Sequence, residues 1–196
     1  MIQGLLLAAG KSKRFGAQKL LAELPNRYTV AAASFHKMKN SVDSAIVVVR
    51  PDDAELIRLF SQEKIQICSC PENTLGMGHS IACGVVHTKD ASGWVIGLAD
   101  MPFIKPETIE SVAAVVNLGA NIAVPVYRGR RGHPVGFSKA LYSELIMLKG
   151  DVGARCILDK YPSKIVEFEV DDPGIHADID TLEDFEKYTE EYFTRQ

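Results

Sequence analysis

At 196 residues, 46% of them hydrophobic and 24% charged, the chain is long enough to bury a core and reads most simply as a single domain over 1–196. With 22 Lys and Arg against 25 Asp and Glu, the formal net charge is -3, which excludes the broad positive field that holds a nucleic-acid backbone and points to small partners. The first apolar run is too short for a signal sequence or a membrane span and has no basic region before it, so the expected location is cytoplasmic, without a membrane.

That run, Gly4-Leu5-Leu6-Leu7-Ala8-Ala9, has strand length and empties into Gly10, Lys11, Ser12, Lys13, Arg14, Phe15 and Gly16 before Lys19-Leu20-Leu21. Small residues let main-chain N–H groups approach an anion closely, and four cations surround them, so the pattern reads as a strand delivering a phosphate-binding loop. It is not a Walker A loop, because Ala17 and Gln18 follow Gly16, and it lacks the G-x-G-x-x-G of a dinucleotide fingerprint. The alternative is an ordinary basic surface loop.

Downstream, the residue pattern predicts a helix over Tyr28 to Met38 and a strand buried on both faces at Ala45 to Val49. Asp52 or Asp53 caps a second helix carrying Leu56, Ile57, Leu59 and Phe60, and Lys64 to Cys68 follows as a strand. Pro71 to Ser80 is too glycine-rich for regular structure and opens a helix of Ile81, Val85 and Val86. Helix N-termini attract anions, so Gly76 and Ser80 are candidates for the same ligand as the first loop, the alternative being a flexible connection with a cap.

Gly93 to Leu98 is another buried-type strand, ending at Ala99-Asp100-Met101-Pro102. Ligands of open α/β sheets bind outside the carboxyl ends of strands, so Asp100 and the first loop are expected in one crevice. A carboxylate facing a triphosphate there suits a divalent-ion ligand, the alternative being a cap on the next turn. A helix over Pro106 to Leu118 precedes Ile122 to Tyr127, a basic turn Arg128 to Gly132, and His133 to Phe137, where internal prolines favour edge positions. His133 either contacts ligand or satisfies its own backbone surroundings.

Leu141 to Leu148 and Ala154 to Lys160 read as helices flanking a break, Ile165 to Val170 as a half-exposed strand, and Leu182, Phe185 and Tyr188 as one face of a terminal helix. Asp178 and Asp180 project the same way in extended backbone and are candidates to complete a metal site with Asp100; alternatively Asp180 or Thr181 caps the last helix with Asp184 closing a box. Cys68, Cys70, Cys83 and Cys156 lack C-x-x-C pairing in a chain large enough to manage without disulfides and are expected to be reduced, mostly packing residues; the alternative is a metal role for Cys68 and Cys70, which share a face without a second ligand pair. The alternation of elements predicts a three-layer α/β/α sandwich with a mainly parallel, mixed-edge sheet.

Leu7 to Gly16 with Lys19-Leu20-Leu21, Gly76-Met77-Gly78-His79-Ser80, Leu98 to Pro102, Arg131 to Pro134, Gly150 to Arg155 and Asp178 to Thr181 follow one another as in the MobA-like nucleotidyltransferases. The chain resembles the molybdenum cofactor cytidylyltransferase branch of that superfamily across nearly its whole length. The resemblance implies a Rossmann-like nucleotidyltransferase fold in which CMP passes from CTP to the terminal phosphate of molybdopterin with release of pyrophosphate and a need for Mg²⁺. It assigns Arg14, Lys19 and Asp100 to catalysis and Leu7, Ala8, Ala9, Gly10, Ser12, Lys19, Gly76, Ser80 and Asp100 to the nucleotide. Met101, Pro102, His133 and Arg155 fall to the acceptor, and Asp100 with Asp178 or Asp180 to the metal. Ala9 within Ala8-Ala9-Gly10 goes with cytidine rather than guanosine.

The chain departs from the family pattern at Ala99, Leu182 and Gly78-His79, the last beside the second loop. Other readings of the same fold are a cytidylyltransferase for sugar or isoprenoid precursors and a nicotinamide-dependent reductase. A molybdoenzyme or its chaperone is the implied protein partner.

Overall fold

The structure, a computed structural model, describes residues 1–9, 18–70 and 76–194. Among the described residues, eight strands form one sheet: β1 (Ile2–Leu7), β2 (Ser44–Val49), β3 (Ile67–Ser69), β4 (Gly93–Leu98), β5 (Ile122–Tyr127), β6 (Arg130–Arg131), β7 (Val135–Ser138) and β8 (Ile165–Glu169). Their order is β3-β2-β1-β4-β7-β5-β6, with β8 paired to β5. β3, β2, β1 and β4 run parallel, β7 is antiparallel to β4 and β5, and β8 is parallel to β5. The mixed edge expected from the sequence is therefore the β7-β5-β6-β8 half.

Seven helices accompany the sheet among the described residues: α1 (Val30–Ser41), α2 (Ala54–Gln62), α3 (Met77–His87), α4 (Pro106–Asn117), α5 (Tyr142–Ile146), α6 (Arg155–Lys160) and α7 (Leu182–Thr194). The alternation of side chains along the strands divides the apolar residues between two layers. Leu6, Val47 and Val95 pack with Phe35, Phe60 and Val112 on one face. Leu5, Val48, Trp94 and Phe137 pack with Ile81, Val85 and Leu145 on the other. The result is the α/β/α sandwich, built because the central strands are apolar on both sides.

Local chemistry sets the helix starts. Thr29 caps α1 by accepting from the Ala32 N–H at 3.3 Å, and Asp53 caps α2 by accepting from Leu56 N–H at 3.3 Å. Thr181 caps α7: its Oγ1 accepts from Asp184 N–H at 3.1 Å while the Asp184 carboxylate accepts from Thr181 N–H at 2.8 Å. This reciprocal box leaves the Asp180 side chain out of the cap.

Three expectations are corrected. α3 starts at Met77, inside the stretch read as irregular, because Gly78 lets the helix lie against the Lys149 backbone; an added Cβ would sit 2.8 Å from the Lys149 carbonyl. Pro125 lies in an interior strand. The β5–β7 ladder stops at Ala123, so a residue without an N–H falls on a flank where β7 has already ended, and its carbonyl is taken by Gly132 N–H at 3.0 Å. The cysteines are not all reduced: Cys70, just beyond β3, and Cys83 on α3 form a disulfide, with Cα atoms 6.2 Å apart. The crossover from β3 to α3 brings together two residues 13 positions apart, a contact that sequence spacing does not display.

Candidate active site

Parallel strands β1 and β4 are adjacent in register, with Leu7 opposite Leu98, so whatever follows them emerges at one end of the sheet. Lys19 follows β1 and Asp100 follows β4. The Lys19 Nζ donates to Asp100 Oδ2 at 2.7 Å and to Asp180 Oδ1 at 3.1 Å. Asp180 is held there by the chain preceding α7, whose Ile179 N–H donates to the Asp100 carbonyl at 3.0 Å. One ammonium group thus bridges two carboxylates from segments 80 residues apart. Lys19 itself is only 8% exposed. Burial works against its charge, but the Asp100 carboxylate, followed by Asp180, outweighs that and holds its pKa above the ordinary lysine value.

Asp100 Oδ1 is buried and has no hydrogen-bond partner among the described residues. A buried carboxylate oxygen left without a donor, next to a second carboxylate, is a hard-oxygen donor set of the kind that suits Mg²⁺ or Mn²⁺. Asp178 is exposed, beyond the buried Ile179. It lies near enough to His133 to act on it electrostatically, as does Asp100.

Beside this acidic group lies a cleft of about 610 Å³ whose lining includes Leu7, Leu98, Arg131, His133, Asp151 and Arg155. His133 Nδ1 is buried without a partner among the described residues. Burial lowers the His133 pKa below the usual imidazole value, and Asp100 and Asp178 oppose this without cancelling it, so the ring is neutral at pH 7.

The expected site residues thus divide. Leu7, His133 and Arg155 line the cleft, while Lys19, Asp100 and Asp180 form the ion-paired group and are not among its lining residues. Ala8 and Ala9 follow β1 without lining the cleft: Ala8 is buried in the layer of Leu6 and Phe35, its N–H donating to the Val48 carbonyl at 2.9 Å, whereas Gly10, Ser12 and Arg14 lie outside the described residues.

Met101 and Pro102 are not among the cleft's lining residues. Met101 packs with Leu6, Ser34 and Met38, and the Pro102 carbonyl accepts from Lys37 Nζ at 2.7 Å. Ser80 is buried with its hydroxyl donated to the Gly76 carbonyl at 3.4 Å. Gly76, at φ +114°, is packed so closely on Gly150 and Asp151 that an added Cβ would collide with both. His79 accepts from Gly150 N–H at 3.1 Å and lines a different cavity. Arg131, one of three arginines in the basic turn that could bind an acidic substrate or form a solvated hairpin tip, lines the cleft; Asp151 was missed, because nothing in the spacing showed which residues face inward.

Residues 4–165 match the MobA-like NTP transferase domain. The chain belongs to the MobA-like NTP transferase family. It is similar to the purine catabolism protein PucB of Bacillus subtilis (strain 168), at 30% identity over 93% of both chains. It is also similar to a probable molybdenum cofactor guanylyltransferase of Geobacillus sp. (strain WCH70), at 26% over 65% of this chain and 64% of that one.

Among solved structures, the Rv0371c homologue from mycobacterium sp. strain JC1 superposes with TM-score 0.86 at 26% identity, covering 100% of this chain and 98% of the other. Rv0371c of Mycobacterium tuberculosis H37Rv in complex with manganese gives 0.79 at 25%, covering 96% and 98%. The fold of this MobA-like chain is thus the Rossmann-like nucleotidyltransferase fold. None of its helices is long and apolar enough to cross a membrane among the described residues.

Proposed function

We propose that this MobA-like nucleotidyltransferase transfers CMP from CTP to the terminal phosphate of molybdopterin and releases pyrophosphate, in the cytoplasm and in the service of a molybdoenzyme. The observation that carries the reading is the buried Lys19 ammonium set between Asp100 and Asp180 at the carboxyl end of β1 and β4. Displacement at phosphorus requires positioning and charge neutralisation, and its phosphate nucleophile is already anionic, so no general base of raised pKa is needed.

Lys19 stays protonated and supplies positive charge to the triphosphate as charge moves onto the leaving pyrophosphate. Asp100, through its unpartnered Oδ1, and Asp180 are the residues that would hold Mg²⁺; when bound, the ion neutralises phosphate oxygens and polarises the phosphorus. The solved complex of Rv0371c with manganese supports the use of a divalent ion. Arg155, which lines the cleft, offers a cation to the acceptor phosphate, with Arg131 beside it held by Glu167 through Nε at 2.8 Å. Neutral His133 exchanges a hydrogen bond with the acceptor without adding charge.

Cytidine is favoured by Ala9. A guanylyl reading has its own support, because relatives from Geobacillus sp. (strain WCH70) and Halalkalibacterium halodurans are named probable molybdenum cofactor guanylyltransferases. The test is pyrophosphate release from each of the four nucleoside triphosphates with Mg²⁺ and molybdopterin. Turnover confined to CTP supports the proposal, GTP turnover replaces the nucleotide, and no turnover with molybdopterin removes the acceptor.

A further inference from the structure

A second cavity, of about 470 Å³, is lined by Cys68, Cys70, His79, Cys83, His87 and Lys149 among others. Cys68 lies in β3 and Cys70 one residue past its end, so the strand alternation points both the same way. His79, Cys83 and His87 recur every four residues along α3 and therefore form one stripe on the helix. The three sulfur atoms all lie within 4.8 Å of one another. Cys68 Sγ is 3.6 Å from Cys70 Sγ and 3.8 Å from Cys83 Sγ.

These separations match a metal–thiolate centre. Thiolates bound tetrahedrally to zinc at about 2.3 Å stand about 3.8 Å apart. Two edges of the sulfur triangle already have that length, and the third is closed only by the Cys70–Cys83 bond. We propose that, once this disulfide is reduced, Cys68, Cys70 and Cys83 hold one zinc ion through three thiolates, with the fourth position opening onto the cavity.

The surroundings fit that charge and polarity. Three thiolates and Zn²⁺ carry a net charge of -1, and Lys149 lines the same cavity. Because His79 Nδ1 accepts the Gly150 N–H, its ring proton belongs on Nε2, which takes His79 out of the zinc ligand set. His87, exposed in the last turn of α3, is the cavity-lining imidazole left to approach the fourth position. Tetrahedral sulfur-rich sites select zinc among the common divalent ions.

Binding releases a proton from each thiol and forms three Zn–S bonds. Oxidation competes with it: a diazenedicarboxamide oxidant takes up two electrons and two protons, Cys70 and Cys83 rejoin as a disulfide, and the freed Cys68 sulfur takes a proton from solvent. The site is separate from the carboxylates proposed to hold Mg²⁺, and its test does not use transferase activity.

The full chain is reduced with a phosphine, loaded with Zn²⁺ or Co²⁺, and passed through a desalting column. The proposal expects a single equivalent of retained zinc and, with Co²⁺, a thiolate-to-cobalt charge-transfer band. Cys68→Ser and Cys83→Ser should each weaken zinc binding by more than the roughly 10- to 100-fold that loss of an outer-shell partner costs. Cys156→Ser and Asp100→Asn should keep the band, and diamide should expel the ion as the Cys70–Cys83 bond forms. Reduced wild-type chain that retains no zinc and shows no band overturns the site. So does a band that survives Cys83→Ser, one that vanishes in Asp100→Asn, or zinc that stays after the disulfide has formed. Circular dichroism of each variant separates loss of ligand from loss of fold.

Discussion

Lys19, with 8% of its surface exposed, is buried against two carboxylates, Asp100 and Asp180, that both accept from it and raise its pKa against the cost of burial. Removing that cation should therefore do two things. Lys19→Met should lower transferase turnover by about 10²- to 10³-fold, the loss expected for one charged transition-state contact worth about 3 kcal/mol. It should also lower the melting temperature, because two neighbouring carboxylates lose their common partner. Adding Asp180→Asn to Lys19→Met should restore most of the stability and none of the activity, as thermal melts and initial rates would show.

His133 gives a pH signature. Its native pKa lies below the ordinary value of 6.5, so the unfolded chain takes up a proton first as pH falls. The stability it contributes is complete above about pH 6.5 and is lost progressively below that, toward the native pKa. His133→Gln should flatten the decline of melting temperature between pH 7 and pH 5; an unchanged slope would show that another group carries it. Strand-end logic alone placed Lys19 and Asp100, 81 positions apart, in one crevice. It left Asp178 and Asp180 undivided, because alternation sends both the same way; in the structure Asp180 pairs with Lys19 while Asp178 is exposed.

The elements that frame the site depend on backbone approach and tertiary capping. Gly76 combines a left-handed φ of +114° with contact against Gly150, so Gly76→Ala should cost about 1–3 kcal/mol and lower the melting temperature. α4 has no side-chain cap of its own. The buried Asp172 carboxylate serves instead, accepting from Lys105 N–H at 2.8 Å, Thr108 Oγ1 at 2.7 Å and Gly174 N–H at 2.9 Å.

Asp172→Ala leaves three donors unsatisfied and should cost about 3 kcal/mol or more in chemical denaturation. The cap on α2 and the box on α7 were legible because their residues are neighbours in sequence. The α4 cap was not, since its acceptor stands 67 residues away. Gly76 of the second loop was read only as a ligand contact, whereas its packing against Gly150 and Asp151 also requires a glycine there.

At the scale of the whole molecule, the doubly apolar strands made the sandwich legible. The order of strands in the mixed half was not, because no local pattern says that β8 returns to pair with β5. The two apolar layers share one sheet, so unfolding is expected to be a single cooperative transition by calorimetry, with separate transitions contradicting a one-domain chain.

That shared sheet also joins the ends of β1 and β4 to the segment before α7, and the account stands on their meeting at a nucleotide. The most direct measurement is divalent-ion-dependent pyrophosphate release from CTP with molybdopterin, compared between the wild-type chain and Asp100→Asn at equal circular dichroism. The account predicts turnover in the wild type that requires the ion and falls at least about 10²-fold in Asp100→Asn. Equal turnover by the two proteins, or turnover that ignores removal of the ion, would contradict it.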